Sequence, residues 1–349
     1  MTTIANYLVN LLHLPGWVSA WFVALMAALV IFGFMMGVVL VLIWLLRKIF
    51  GFMQIRLGPM MHGPQGIFQT PADALKLLAK EDVIPDRADK WVFVIAPLVV
   101  FVPAYMVYVV IPFGEGSRFI AKDLNIGILY IAAISSMAVI GIIMAGWASE
   151  NKYSLLGALR GAAQLVSYEV PMVLAFMGPV ILAGSLSMQS IVKAQTGGFW
   201  HWHFLQPWGL GLLGFLLMIT AALAETNQVP FDLPEAESEL VAGYNTEYSG
   251  MKFGLFFMAE FANTFTLCAI TTTLFLGGWH SPFPHFLDGG WWSLLWFLGK
   301  SGFLVFVFMW IRATYPRVRV DQLMEFAWKG LIPVGLFYLI AVAFFAVVV

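Results

Sequence analysis

Apolar residues run along this chain in blocks near the length of about 20 residues at which a helix crosses a bilayer's hydrocarbon. Short stretches rich in charge, Gly and Pro cut the blocks apart. Setting runs against breaks predicts spans near 18–46, 91–111, 125–147, 167–185, 208–224, 253–277, 291–311 and 330–348. The expected fold is an all-α polytopic membrane protein of about eight transmembrane helices, one transmembrane domain over 1–349. The stretch 66–80 sets Ile67, Phe68, Ala74, Leu75, Leu77 and Leu78 against Asp73, Lys76 and Lys80, the pattern of an amphipathic helix lying in the membrane interface.

Composition agrees with that class, at 61% hydrophobic and 11% charged. Fourteen of the 18 basic residues fall in 47–90, 148–166, 225–252 and 312–329. Positive charge stays inside, so these four segments are expected to be cytoplasmic loops, with both termini outside. The first run lacks a basic leader and is longer than a signal-peptide core, which predicts a retained span. The polar side is heavy enough to meet a soluble partner. No internal repeat is visible, which disfavours a standalone ion-coupled transporter built from inverted repeats.

Charge and cysteine usage exclude other classes. A net charge of −1 offers no basic stripe for nucleic acid. The single cysteine, Cys268, falls mid-span and reads as a buried apolar residue. Within this chain it cannot build a disulfide framework, an iron–sulfur cluster or a thiolate zinc site. His13, His62, His201, His203, His280 and His285 fall in loops or near span ends, so neither axial haem ligation nor a metal centre is expected. His201 and His203 flank Trp202 and read as an interfacial pair.

The acids carry the candidate chemistry. Glu225, Asp232, Glu235, Glu237, Glu239 and Glu247 fall within 225–250 with no basic residue among them, between two apolar runs. Carboxylates beside lipid are costly, so such groups face protein or water and mark ion and proton routes. Pro230 and Pro234 predict irregular backbone from Gln228 to Leu233, tolerated near membrane depth only inside protein or along a wet cavity. From Glu235 onward a helix would put Glu235 and Glu239 on one face, where like charges push pKa values upward. Glu169, close before Pro171, and Glu260 extend the series into apolar runs, and Lys300 is a candidate counter-charge. Arg160 and Gln164 share a helix face.

Several motifs resemble one family: FMQIRLGP at 52–59, PADALKLLAKE at 71–81, ENKYSLLGALR at 150–160, SYEV at 167–170, ETNQVPFDLPEAESEL from 225, EYSGMKFGLFFMAE at 247–260 and RATYPRVRVDQLM at 312–324. Together they look like the H subunits of the proton-pumping NADH-quinone oxidoreductases, respiratory complex I. The resemblance covers most of the chain. It implies a multi-pass component of the bacterial plasma membrane that binds no redox cofactor itself and takes quinone as substrate. Such a component joins soluble iron–sulfur subunits at the cytoplasmic face to antiporter-like membrane subunits within the lipid. By motif, Arg47, Arg56 and Asp73 would lie around the quinone channel mouth, Phe257 and Met258 along its wall, and Arg312, Arg317 and Arg319 near the arm interface. Glu225, Asp232, Glu235, Glu237 and Glu239 would border the chamber, and Glu169 and Glu260 would carry proton coupling inward. A homologous membrane subunit of a hydrogenase, or of another dehydrogenase, is the nearest alternative. The chain departs from the family at Leu46, where a Glu usually precedes Arg47, and at Met60, usually Asn, which Met61 and His62 follow. Left unpaired, Arg47 would be free for a lipid phosphate or a quinone head.

Overall fold

The computed structural model describes residues 16–116, 119–284, 286–287 and 289–348; the side chains of 16–20, Glu237 and Ser238 are not described. His13, Arg118 and His285 therefore lie outside the described residues. All eight expected spans are helical. Among the described residues, seven helices are long and apolar enough to cross a membrane, and the eighth, at 15 residues, is shorter.

In chain order the helices are α1 (Gly16–Met53), α2 (Gln69–Ala79), α3 (Lys90–Val107), α4 (Gly127–Ser135), α5 (Met137–Ala148), α6 (Lys152–Ala183) and α7 (Met188–Ala194). There follow α8 (Gly211–Glu225), α9 (Glu237–Leu240), α10 (Gly250–Phe275), α11 (Gly290–Thr314), α12 (Val320–Glu325) and α13 (Ile332–Val348). A π-helical turn, Phe326–Leu331, joins the last two. In hydrocarbon every backbone polar group needs an internal partner, which is why the apolar runs have no alternative to helix.

Charge marks a membrane edge but not a helix end, and this corrects the expected loops. Two of the four, 148–166 and 312–329, are largely helix. Asn151 accepts from the Tyr153 amide and so caps α6 fifteen residues ahead of the span predicted at 167, while its own amide donates to Glu247 at 2.7 Å. From there the Leu- and Ala-rich sequence has no reason to unwind, and α6 runs 32 residues, about 48 Å. Likewise α1 continues to Met53, 38 residues or about 57 Å.

The core is formed where α10 packs against α3, α8 and α11, with α6 packing on α5, α8 and α13. It is close-fitting where the 226–249 segment lies on α6. A β-carbon at Gly157 would come within 2.7 Å of Gly243 Cα and 2.9 Å of Pro234 O. Small residues here let irregular backbone approach a helix. The expected shared face of Glu235 and Glu239 does not form, because α9 begins only at Glu237 and ends at Leu240, before Val241 in the left-handed region (φ 64). Glu235 precedes the helix and faces inward, whereas Glu239 faces out.

Candidate functional site

Helix α8 ends in a way that builds the site. Asn227 adopts the left-handed conformation (φ 50), and the Gln228 amide returns to Leu223 O at 3.2 Å, a Schellman-type stop. Gln164 on α6 pins that end by donating to Ala224 O and Phe231 O, both at 2.7 Å, and to Asn227 Oδ1 at 3.2 Å. At 15 residues, α8 spans about 22 Å, less than the hydrocarbon's roughly 30 Å. A crossing helix this short would leave its termini and the backbone that follows at hydrocarbon depth, where protein must wrap them.

Gln228 then stands between an arginine and a carboxylate. Arg312 Nη1 donates to Gln228 Oε1 at 2.8 Å, and Gln228 Nε2 donates to Glu260 Oε1 at 3.0 Å. The direct Arg312–Glu260 separation is 3.5 Å. On the outer side Arg317 Nη2 pairs with Asp232 Oδ2 at 2.9 Å, and the Val318 amide donates to Pro230 O at 3.1 Å, so the non-helical segment after α11 holds the acidic segment. Glu235 accepts from the Asn245 amide and faces the Tyr244 hydroxyl. The charges of Asp232, Glu235, Glu260 and Arg312 act on one another.

With Arg317 counted, three carboxylates meet two guanidiniums, so a fully ionised cluster carries an excess negative charge. Such a group retains a proton more readily than isolated carboxylates do. Burial, and then the like charge of Asp232, push Glu235 up to about 7, against the pull of Tyr244, Arg312 and Asn245. The same environment drives the Tyr244 hydroxyl well above its usual range, so it stays protonated and can donate.

Other predicted residues separate from this cluster. Glu225 is half-buried at the foot of α8 with its Oε2 enclosed, and the charge of half-buried Glu169 reaches it across the α6–α8 contact. Glu239 pairs with Arg160 at the surface, leaving Gln164 alone on the interior task. Arg319 pairs with Asp321, both more than three-quarters exposed. Arg56 is exposed and donates to Gln54 Oε1 at 2.6 Å. Phe257 belongs to an aromatic ladder with Phe253 and Phe261, while Met258 is buried on another face. The side chain of Glu237 is outside the described residues.

At the end of α1, Arg47 is not unpaired. Its Nη1 meets Asp73 Oδ2 on α2 at 2.6 Å, and Gln69 donates to the other oxygen at 3.2 Å. Neighbours one apart on a helix do not face each other, so the missing acid at 46 costs Arg47 little. Burial opposes the Asp73 carboxylate, but Arg47, Gln69 and Lys76 together hold it below the usual value. Lys48 is buried and ends 3.2 Å from Met60 Sδ.

Two expectations fail. Lys300 lies away from the cluster of Asp232, Glu235 and Glu260: it donates to the carbonyls of Leu276, Gly278 and His280 at 2.7, 3.0 and 2.6 Å, beyond the far end of α10. His203 is not interfacial but buried, with Nδ1 3.1 Å from Leu274 O. Burial pushes its imidazole down to about 4, so it is neutral. Gln228, Asn245 and Tyr244 escaped sequence reading because neutral residues give no charge signal. A Thr-Asn pair after an apolar run does mark a helix stop, and Gln228 follows it.

Fold and site define a class: a polytopic helical membrane protein with an internal acid–base network at its more basic end. A family model described as NADH dehydrogenase matches residues 25–343. The NADH-quinone oxidoreductase H subunit of Dehalococcoides mccartyi strain CBDB1 is 53% identical over 325 residues, 93% of this chain and 87% of the relative. One of the corresponding H subunits of Geobacter metallireducens is 48% identical, covering 94% of this chain and 96% of the relative. That of Brevibacillus brevis is 47% identical, covering 94% of each. The chain belongs to this NADH dehydrogenase family, as the H subunit of an NADH-quinone oxidoreductase, a membrane component of complex I.

Proposed function

We propose that this chain forms the quinone-binding channel of complex I and couples quinone reduction to proton translocation through its buried carboxylates. The observation that carries the reading is the Arg312–Gln228–Glu260 bridge with Glu235 and Asp232 beside it. It is a set of acids with one carboxylate in excess, at a helix end wrapped inside protein at membrane depth. Quinone takes up protons as it accepts electrons, so reduction nearby changes the charge this cluster experiences. Glu235 answers by gaining or losing a proton near neutral pH, and Arg312 redistributes its attraction between Gln228 and Glu260. Glu260, Glu225 and Glu169 extend the response inward. The Phe253–Phe257–Phe261 ladder suits an apolar isoprenoid tail, and the Arg47–Asp73 pair lies toward the channel mouth.

In this reading the more basic end faces the cytoplasm of a bacterial plasma membrane. Soluble iron–sulfur subunits dock there and supply the electrons, Arg317 and Arg319 lie near the junction, and antiporter-like membrane subunits and lipid surround the rest.

Glu235→Gln keeps the size and removes the charge. Assembly is expected to persist while quinone-linked NADH oxidation falls about a hundredfold, the scale of a lost acid–base group. Wild-type turnover in the assembled variant rejects the proposal. The sign of the pH dependence follows from the raised value: folded protein holds the Glu235 proton more tightly than unfolded chain. Its stabilising share is full below the unfolded value of 4.5 and disappears as pH rises through about 7. The thermal midpoint of assembled enzyme should fall over that window, and less so with Glu235→Gln.

A further inference from the structure

A second polar site lies one turn deeper than the cluster. Asn263 follows Glu260 by three residues on α10, about 4.5 Å along the axis. With Glu225, Thr266, Ser135, Pro103 and Met172 it lines a cavity of about 30 Å³. The Oε2 atom of Glu225 is buried and has no donor among the described residues. The Asn263 amide makes no hydrogen bond to a described residue either. Ser135 has committed its proton to Ala132 O at 3.0 Å, and the Thr266 hydroxyl is shared between Ala262 O at 2.8 Å and the buried Tyr108 hydroxyl, so toward the cavity both offer lone pairs. The room comes from helix breaks: α4 stops at Ser135 before α5 restarts at Met137, and Pro103 lies within α3.

A buried water needs about 10–15 Å³ of such volume and two to four polar partners, and an apolar void stays dry. This cavity has room for one or two waters and offers a carboxyl, an amide and two acceptor hydroxyls. We propose that Glu225, Asn263, Thr266 and Ser135 form an internal hydration site in which Asn263 is the positioning residue for the water that exchanges protons with Glu225. The amide donates to the water oxygen and the water donates to the spare lone pairs of Thr266 or Ser135. In the exchange the carboxyl O–H bond breaks, its electron pair stays on the carboxylate, and a water lone pair takes the proton. The hydronium then returns to water by releasing a proton to the next acceptor. Occupancy of the site stands on geometry; its use in coupling rests on the proton-transfer reading above.

Three measurements on the whole assembled enzyme test this. A high-resolution map should show density within hydrogen-bond reach of both Glu225 and Asn263; a dry cavity overturns the proposal whatever the variants do. Infrared difference spectra, with the Glu225 band assigned through Glu225→Gln, should show slower hydrogen–deuterium exchange in Asn263→Leu, which fills the cavity with apolar volume. Proton pumping per NADH should fall by about half or more in Asn263→Leu, with Asn263→Ser nearer the wild type because it keeps room and a hydroxyl. Equal exchange and pumping in Asn263→Leu and wild type rejects the role of Asn263. Undiminished pumping in Glu225→Gln instead removes the coupling reading and leaves the hydration site standing.

Discussion

Helix α11 carries two partly buried cations twelve residues apart, and their surroundings differ in kind. Lys300 is held by three main-chain carbonyls just past the C-terminus of α10 and lies 4.1 Å over the Trp202 ring. Carbonyl dipoles do not titrate and a helix C-terminus favours a cation at every pH, so these main-chain partners hold Lys300 in the same way whatever the protonation of the acids. Arg312 is held by a neutral amide and a carboxylate that can gain a proton. Its environment therefore has at least two charge states. In the proposed coupling, what separates a structural from a functional ion is the chemistry of its partners, not the charge it carries.

Arg312→Met gives the largest effect. It keeps the apolar length of the side chain but leaves three acids with one guanidinium. Removing one partner of a buried, hydrogen-bonded charge pair costs about 2–5 kcal/mol. If the transition state depends on that pair, quinone-linked turnover per assembled complex should drop about thirtyfold or more, at 1.36 kcal/mol per tenfold. Assembly should survive, because Glu260 can take a proton in place of its lost partner. Turnover within a factor of about two of wild type would erase the contrast with Lys300.

Lys300→Met should show the opposite pattern. Three carbonyls lose a charged donor, and each such bond contributes about 1.5–3 kcal/mol before the cost of burying the ammonium is subtracted. A net loss of about 3 kcal/mol is expected. It should appear as a lower thermal midpoint and less assembled enzyme, with turnover per complex close to wild type. A variant that assembles normally but turns over slowly would move Lys300 into the proton network.

The two cations also show what the sequence could reveal. Hydrophobic runs located all eight helices, because in a bilayer apolar length and helix are one constraint. Charge against an apolar background singled out Glu225, Asp232, Glu235 and Glu260, all at least partly buried, whereas Arg312 and Arg317 were pointed to by the motif resemblance. Sequence could not pair them. Lys300 reads as a counter-charge as readily as Arg312 does, since its carbonyl partners are a property of where α10 ends and leave no residue signature. Nor could it rank Glu235 above Glu239: a left-handed turn at Val241 and the packing of Pro234 on Gly157 decide which of the two faces inward. Gln228 and Asn263 were silent for a simpler reason, because an amide in a helix-rich chain looks like any polar residue until its neighbours are known.

The smallest effect belongs to a third pair, Arg47 with Asp73, whose side chains are 39% and 28% exposed. An ion pair this open to solvent is worth about 0–1 kcal/mol, so Asp73→Asn should move the thermal midpoint by no more than about 4 °C. If the pair borders the channel mouth, what changes is substrate access: the freed Arg47 can turn toward passing polar groups. The apparent KM for a long-tailed quinone should then shift several-fold while kcat holds. Adding Leu46→Glu should not reverse the shift, because residues one apart diverge around the helix and a carboxylate at 46 points away from Arg47. A fall in kcat on the scale of Arg312→Met would place Asp73 in the proton network, and an unchanged KM would put the Arg47–Asp73 pair outside the entrance.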